Sequence, residues 1–159
     1  MPGISNFGRY FDEFTLGEVI FHWPGKTVCE SDNNLFCLLT MNHHPVHLDE
    51  SFAKEAHHGK ILVVGTYVIS LVVGMSVKDI SGLAIANLGY DGVRHLNPVF
   101  IGDTLYASSK VLEKKLCSKK DRGIVTIEKT AWNQKESPVL SLKRAILVPR
   151  VLEGKGDVQ

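Results

Sequence analysis

The sequence predicts an α+β domain in which a curved antiparallel β-sheet wraps around one long apolar helix. Two observations carry that prediction. Ile61–Met75 (ILVVGTYVISLVVGM) is the most apolar window of the chain, and from residue 82 onward the pattern changes to period two. A helix that is apolar on nearly every side demands burial on nearly every side, and consecutive alternating segments read as neighbouring strands. Patchy alternation over Leu16–Val28 supplies a first strand ahead of the helical segments. At 159 residues the chain suffices for one domain.

Residues 1–14 read as an irregular N-terminal arm whose Phe11 and Phe14 pack against the domain, 15–150 as that single domain, and 151–159 as a fraying tail. The first strand bends at Trp23-Pro24-Gly25. Ser31 or Asp32 caps a helix whose apolar face is Leu35, Leu38 and Leu39, and Pro45 forbids its continuation. Asp49 caps a second, short helix with Phe52, Ala53 and Ala56 on its apolar face. The valines and isoleucines that follow have strand propensity, but the run from about Val64 to Ser76 is too long for an ordinary strand and reads as a helix. Four strands come next, at Leu83–Tyr90, Leu105–Leu116, Gly123–Trp132 and Val139–Val148. The third alternates poorly, so both its faces are expected to be partly covered. Open sheet edges in such an arrangement favour pairing with a second subunit.

Composition excludes several function classes. Eighteen Lys+Arg against seventeen Asp+Glu leave a net charge of +1, with no broad basic field for nucleic acid. The apolar run falls short of the about 20 residues that span a bilayer. Three scattered cysteines, Cys29, Cys37 and Cys117, make neither a disulfide framework nor a metal knuckle. Their odd number, with no recognisable secretory leader, predicts a reducing, cytoplasmic setting.

Chemistry concentrates in Asn42-His43-His44-Pro45-Val46-His47-Leu48-Asp49. Pro45 breaks any common helical face for His43 and His47, and no HExxH pattern is present, so a metal centre competes poorly with metal-free acid–base work. A solvated histidine-rich loop is the bland alternative. His47 is the preferred acid–base residue, because Pro45 and Val46 hold it on a rigid approach to the apolar run; imidazole as a class exchanges protons near neutral pH. Asn42 cannot exchange a proton, but its amide can orient a water or a carbonyl, or simply cap the loop. Gly65 either opens the long helix, presenting an unpaired N–H to a ligand carbonyl, or serves a packing contact. Arg94 is a candidate for binding a phosphate or carboxylate, against the plain reading of a surface arginine.

Met41-Asn42-His43-His44-Pro45-Val46-His47, continued by Asp49, Phe52 and Ala53, resembles the hallmark segment of the MaoC-like hydratases, a family of the hotdog-fold superfamily. Leu62-Val63-Val64-Gly65, Val93-Arg94-His95-Leu96-Asn97-Pro98-Val99 and Gly102-Asp103-Thr104-Leu105 extend the resemblance over roughly residues 14–149. It implies reversible hydration of a 2-enoyl thioester of coenzyme A or acyl carrier protein to the 3-hydroxyacyl thioester, without cofactor or metal, by a homodimer or higher homo-oligomer. It implies His47 as acid–base residue, Asn42 as its partner, Gly65 as the carbonyl donor, and Arg94, His44 and Val64 as substrate contacts. The family's catalytic aspartate falls on Asn42, its glycine on Met41 and its asparagine on His44. That departure resembles the branch acting on branched or dicarboxylic thioesters such as mesaconyl-CoA. A hotdog acyl-CoA thioesterase and a non-catalytic acyl-thioester binding protein are the alternatives.

Overall fold

The computed structural model describes residues 7–151. Most of the tail read from the sequence lies outside the described residues, as does the beginning of the arm. Phe11 sits in a 3-10 turn, Phe11–Glu13, and with Phe14 it is buried in a cluster formed by Ile20, Ile80, Val125 and Ile146. The first strand, β1 (Val19–Thr27), pairs with β3 and loses register between His22 and Lys26, across the Trp23-Pro24-Gly25 bend.

Helix α1 (Glu30–Leu39) starts earlier than its sequence suggests. Cys29 is the N-cap residue, and Asp32 reaches back to accept the Cys29 N–H at 3.0 Å. Its inward face is also not the leucine stripe. Leu35, Leu38 and Leu39 are exposed, while Asn33 and Cys37, one turn apart, are fully buried. Asn33 satisfies its amide inside the protein, so burying it carries no unpaired polar group. Helix α2 (Glu50–Glu55) is capped as expected, with Asp49 accepting the Phe52 N–H at 3.0 Å; Ala53 is buried and Phe52 exposed.

The long helix α3 (Gly65–Met75) has Val64 and Ser76 as its caps and is followed by a π turn, Val77–Ser81. Burial on all sides is not observed within the chain. Val68 and Val72 enter the main core with Leu105, Ala107, Leu140 and Leu142, whereas Thr66, Ser70 and Gly74, four apart, line the outer face. Among the described residues, no helix is long and apolar enough to cross a membrane.

The remaining strands are β2 (Ala86–His95), β3 (Thr104–Leu116), β4 (Arg122–Trp132) and β5 (Pro138–Pro149), forming one antiparallel sheet in the order β1-β3-β4-β5-β2. β2 continues past Tyr90, where the sequence suggests an end. Gly92 takes φ +57°, the register shifts between Asp91 and Arg94, and pairing resumes with His95 opposite Leu140. A glycine in the left-handed region allows that bulge without breaking the strand.

On β4 both faces are covered, as expected: Val125, Ile127, Lys129 and Ala131 lie on a fully buried face and the opposite face is half-buried throughout. Lys129, 1% exposed, donates to Ser109 Oγ at 3.0 Å. Ser109 Oγ lies 2.7 Å from His22 Nε2, and His22 Nδ1 lies 2.8 Å from Asp79 in the π turn. The carboxylate can only accept, so His22 carries its proton on Nδ1 and Ser109 donates to Nε2. Arg144, nearby on β5, donates to Asn87 at 2.7 Å and Ser81 at 3.1 Å. Burial pushes the Lys129 ammonium down to about 7, and the charge of Arg144 adds to the effect while Asp79 opposes it. Burial lowers His22 as well, partly offset by its bond to Asp79.

Candidate active site

Residues 44–47 are shaped by local hydrogen bonds. His44 Nδ1 accepts the Val46 N–H at 3.2 Å and so caps the 3-10 turn Pro45–His47, whose first residue is proline, suited to a position needing no amide proton. His47 Nδ1 lies 2.6 Å from the Leu62 carbonyl oxygen. A carbonyl only accepts, so Nδ1 carries the ring proton and Nε2 keeps its lone pair. In the neutral ring, Nε2 is therefore the accepting atom.

Asn33 ties that turn to the start of α3. Its Nδ2 donates to the His47 carbonyl oxygen at 2.9 Å and its Oδ1 accepts the Val64 N–H at 3.0 Å. Leu62 N–H donates to the Val46 carbonyl at 3.2 Å, a further tether between the two segments. Gly65 then opens the helix. As its first residue it has no intrahelical acceptor for its N–H, which points out at the positive end of the helix dipole. The His95 ring lies directly over Gly65: a Cβ built there would stand 2.8 Å from ring atoms Cε1 and Nε2. Gly65 thus opens the helix and also makes a close packing contact.

His47, Leu62, Gly65, Val68, His95 and Val99 line one cavity of about 380 Å³, in the size range of small-molecule sites. The two residues on which the sequence reading depended most are thus brought together. Four others are not among the residues lining it. Asn42 sits in the preceding loop, donating its N–H to the Cys37 carbonyl at 3.0 Å, with its Oδ1 3.5 Å from the His44 N–H. These contacts place it in the loop, outside the cavity lining. His44 shapes the turn, its ring centroid 6.1 Å from that of His47. Val64 is buried and acts through its N–H to Asn33. Arg94 is exposed on β2, whose side chains alternate, and its neighbour His95 takes the cavity position.

The sequence reading missed Asn33 and gave no role to His95, His58 or Asn97, which also line the cavity. The asparagine pair Asn33-Asn34 within a helix was the available signal for the first, because asparagine disfavours helix interiors unless its amide is bonded. Among the described residues, no group of His, Cys, Asp and Glu is arranged to hold a metal ion.

Comparison with known proteins places this geometry. Residues 13–133 match the family model described as MaoC like domain. The chain belongs to the MaoC-like family. It is 37% identical over 144 residues to a mesaconyl-CoA hydratase of Cereibacter sphaeroides, covering 91% of this chain and 42% of that protein. It is 32% identical over 148 residues to a β-methylmalyl-CoA dehydratase of Chloroflexus aurantiacus, covering 93% of this chain and 42% of that one. The chain thus spans less than half the length of these curated relatives. Among solved structures, a MaoC domain protein from Chloroflexus aurantiacus described as a putative dehydratase superposes with a TM-score of 0.90 at 30% identity, covering 99% of this chain and 45% of that one. A double-hotdog protein of Mycobacterium tuberculosis gives a TM-score of 0.85 at 25% identity, covering 94% of this chain and 47% of that one. The fold of this MaoC-like chain is a hotdog.

Proposed function

We propose that this MaoC-like protein is a lyase that reversibly hydrates a 2-enoyl thioester, with a branched or dicarboxylic enoyl-CoA of the mesaconyl type as its leading substrate class. One observation carries the reading: a histidine whose Nδ1 is held by the Leu62 carbonyl, leaving Nε2 without a protein partner, shares a cavity with the unpaired N–H that opens α3. The relatives named for mesaconyl-CoA hydration and β-methylmalyl-CoA dehydration support the substrate class.

The Gly65 N–H donates to the thioester carbonyl, withdrawing electron density from the alkene and steadying the enolate that forms. His47 Nε2 takes a proton from water as the water oxygen bonds the β-carbon. Collapse of the enolate returns that proton to the α-carbon. The Leu62 carbonyl bonded to Nδ1–H favours the imidazolium formed between the two transfers. Neither a cofactor nor a metal is needed for the sequence of steps.

A second copy of the chain is the proposed partner. The free edge of the sheet at β2 exposes Leu88, Tyr90 and Val93, with Leu96 just beyond, and the double-hotdog neighbour, in which this chain matches 47% of the length, supports the pairing of two such units. Three free cysteines accord with a reducing, cytoplasmic setting.

The test is a panel of crotonyl-, mesaconyl- and longer enoyl-CoAs followed by alkene absorbance and by free-thiol release. Loss of absorbance without thiol release is expected, and His47→Ala should cut turnover by about 100-fold or more while keeping the fold. Thiol release would instead identify a thioesterase, and unchanged turnover in His47→Ala would remove the base from the mechanism.

A further inference from the structure

We propose that His95 is a second catalytic residue, its ring N–H joining the Gly65 N–H as a donor to the substrate's thioester carbonyl oxygen. The inference rests on the enoyl-thioester reading above and assigns it an atom that reading lacks. An sp² oxygen has two lone pairs and binds two donors well; the Gly65 amide fills one. His47 cannot fill the other, because its only ring proton is held by the Leu62 carbonyl and its Nε2 is the base.

His95 stands where the second donor belongs. Its Cε1 and Nε2 are 2.8 Å, and its Nδ1 3.4 Å, from the position a Cβ would take on Gly65, so ring and helix-opening amide border the same space. Both line the cavity that contains His47. Among the described residues, none hydrogen-bonds the His95 ring, so its N–H is uncommitted. Of the other polar side chains of the cavity, Asn97 donates to the Pro138 carbonyl at 2.6 Å, and His58 packs edge-on against Phe100, whereas His95 is the ring that stands against Gly65. The Gly92 bulge, which lets β2 run on to His95, sets the ring in this place.

In the step so described, the water oxygen bonds the β-carbon and a water proton passes to His47 Nε2. The alkene pair moves to the bond between the α-carbon and the carbonyl carbon, and the carbonyl pair moves onto oxygen. That enolate oxygen is held by the Gly65 and His95 N–H groups. The proton on Nε2 then goes to the α-carbon as the carbonyl re-forms, and His95 keeps its own proton throughout.

The test compares the wild-type chain with His95→Phe, which keeps a flat ring and removes the donor, and His95→Gln, which retains an N–H. His95→Phe should lower kcat about 100-fold with KM within about threefold, the scale measured for single oxyanion donors. The glutamine variant should recover about tenfold of that loss, and both should melt near the wild type. A purely structural ring would shift the melt and gain nothing from glutamine; a phenylalanine variant with near wild-type kcat overturns the proposal.

A readout independent of turnover uses crotonyl-CoA bound to His47→Ala, with and without His95→Phe, and the infrared stretch of its thioester carbonyl. The frequency should rise when the His95 donor is removed, and equal frequencies overturn the assignment even if His95→Phe folds poorly in kinetic assays. A protein that binds crotonyl-CoA and shows this shift without hydrating any panel member keeps the donor pair and loses the hydratase reading. Failure to bind any panel member overturns both.

Discussion

Asn33 donates to the backbone carbonyl of His47 at 2.9 Å while its other amide atom accepts from Val64 at 3.0 Å. One fully buried side chain thus sets the distance between the proposed base and the helix opening that meets the substrate. Asn33→Ala leaves a half-buried carbonyl and a buried N–H without these partners. The loss is expected to cost about 2 kcal/mol of stability and, because both loop and helix end lose their tether, to lower kcat about tenfold or more. Denaturant unfolding and turnover on the same preparation check this; a destabilised variant with normal kcat would show that Asn33 supports the fold alone.

Gly65 separates two effects at one position. Its backbone is not in the left-handed region, so alanine is permitted conformationally and gains up to about 1 kcal/mol of helix propensity. The amide N–H also survives the change. What a methyl group disturbs is the space shared with His95, whose ring must swing aside. Gly65→Ala is expected to melt within a few degrees of the wild type, with kcat lower by about tenfold or more because the second donor and the carbonyl's approach are both displaced. Full activity in this variant would mean that the carbonyl does not dock there.

The elements that periodicity defines were legible from the chain alone: α3 within a residue or two, and β3, β4 and β5 with nearly their observed bounds. The pairing of His47 with Gly65 was legible too, since a proline-stiffened histidine and a helix-opening glycine leave marks in the sequence. Faces were harder. Leu35, Leu38 and Leu39 have the spacing of a buried stripe, yet Asn33 takes the inside because its two hydrogen bonds join segments 14 and 31 residues away. The surroundings of Lys129 come from Ser109 and Arg144 on other strands and Asp79 in the π turn, all distant in the chain. His95 escaped because Asp91-Gly92 looks like the end of a strand, and only the bulge carries the pairing past it. Asn42, close to His47 in sequence, is not among the residues lining the cavity. Each of these depends on partners distant in the chain.

Lys129 makes stability depend on pH in a stated direction. Its ammonium is pushed from 10.5 down to about 7 in the folded protein by burial, with Arg144 adding to the effect. Between those two values the unfolded chain holds a proton that the folded one has released, so stability rises with pH, by at most about 1.4 kcal/mol per unit. Below about 7 both states are charged and the cost of the buried cation is present in full. Lys129→Met removes that cation with little change in volume and leaves Ser109 bonded to His22. The variant is expected to be more stable than the wild type at pH 7 and below, with the advantage shrinking steadily toward pH 10. His22, held below its ordinary value chiefly by burial, adds a loss of stability on the acid side; the Lys129 charge is a lesser cause of that lowering, so removing it slightly reduces the acid loss and works in the same direction as the variant's advantage. Urea unfolding of the pair at several pH values measures the difference; an advantage independent of pH would show that Lys129 is not neutralised on folding.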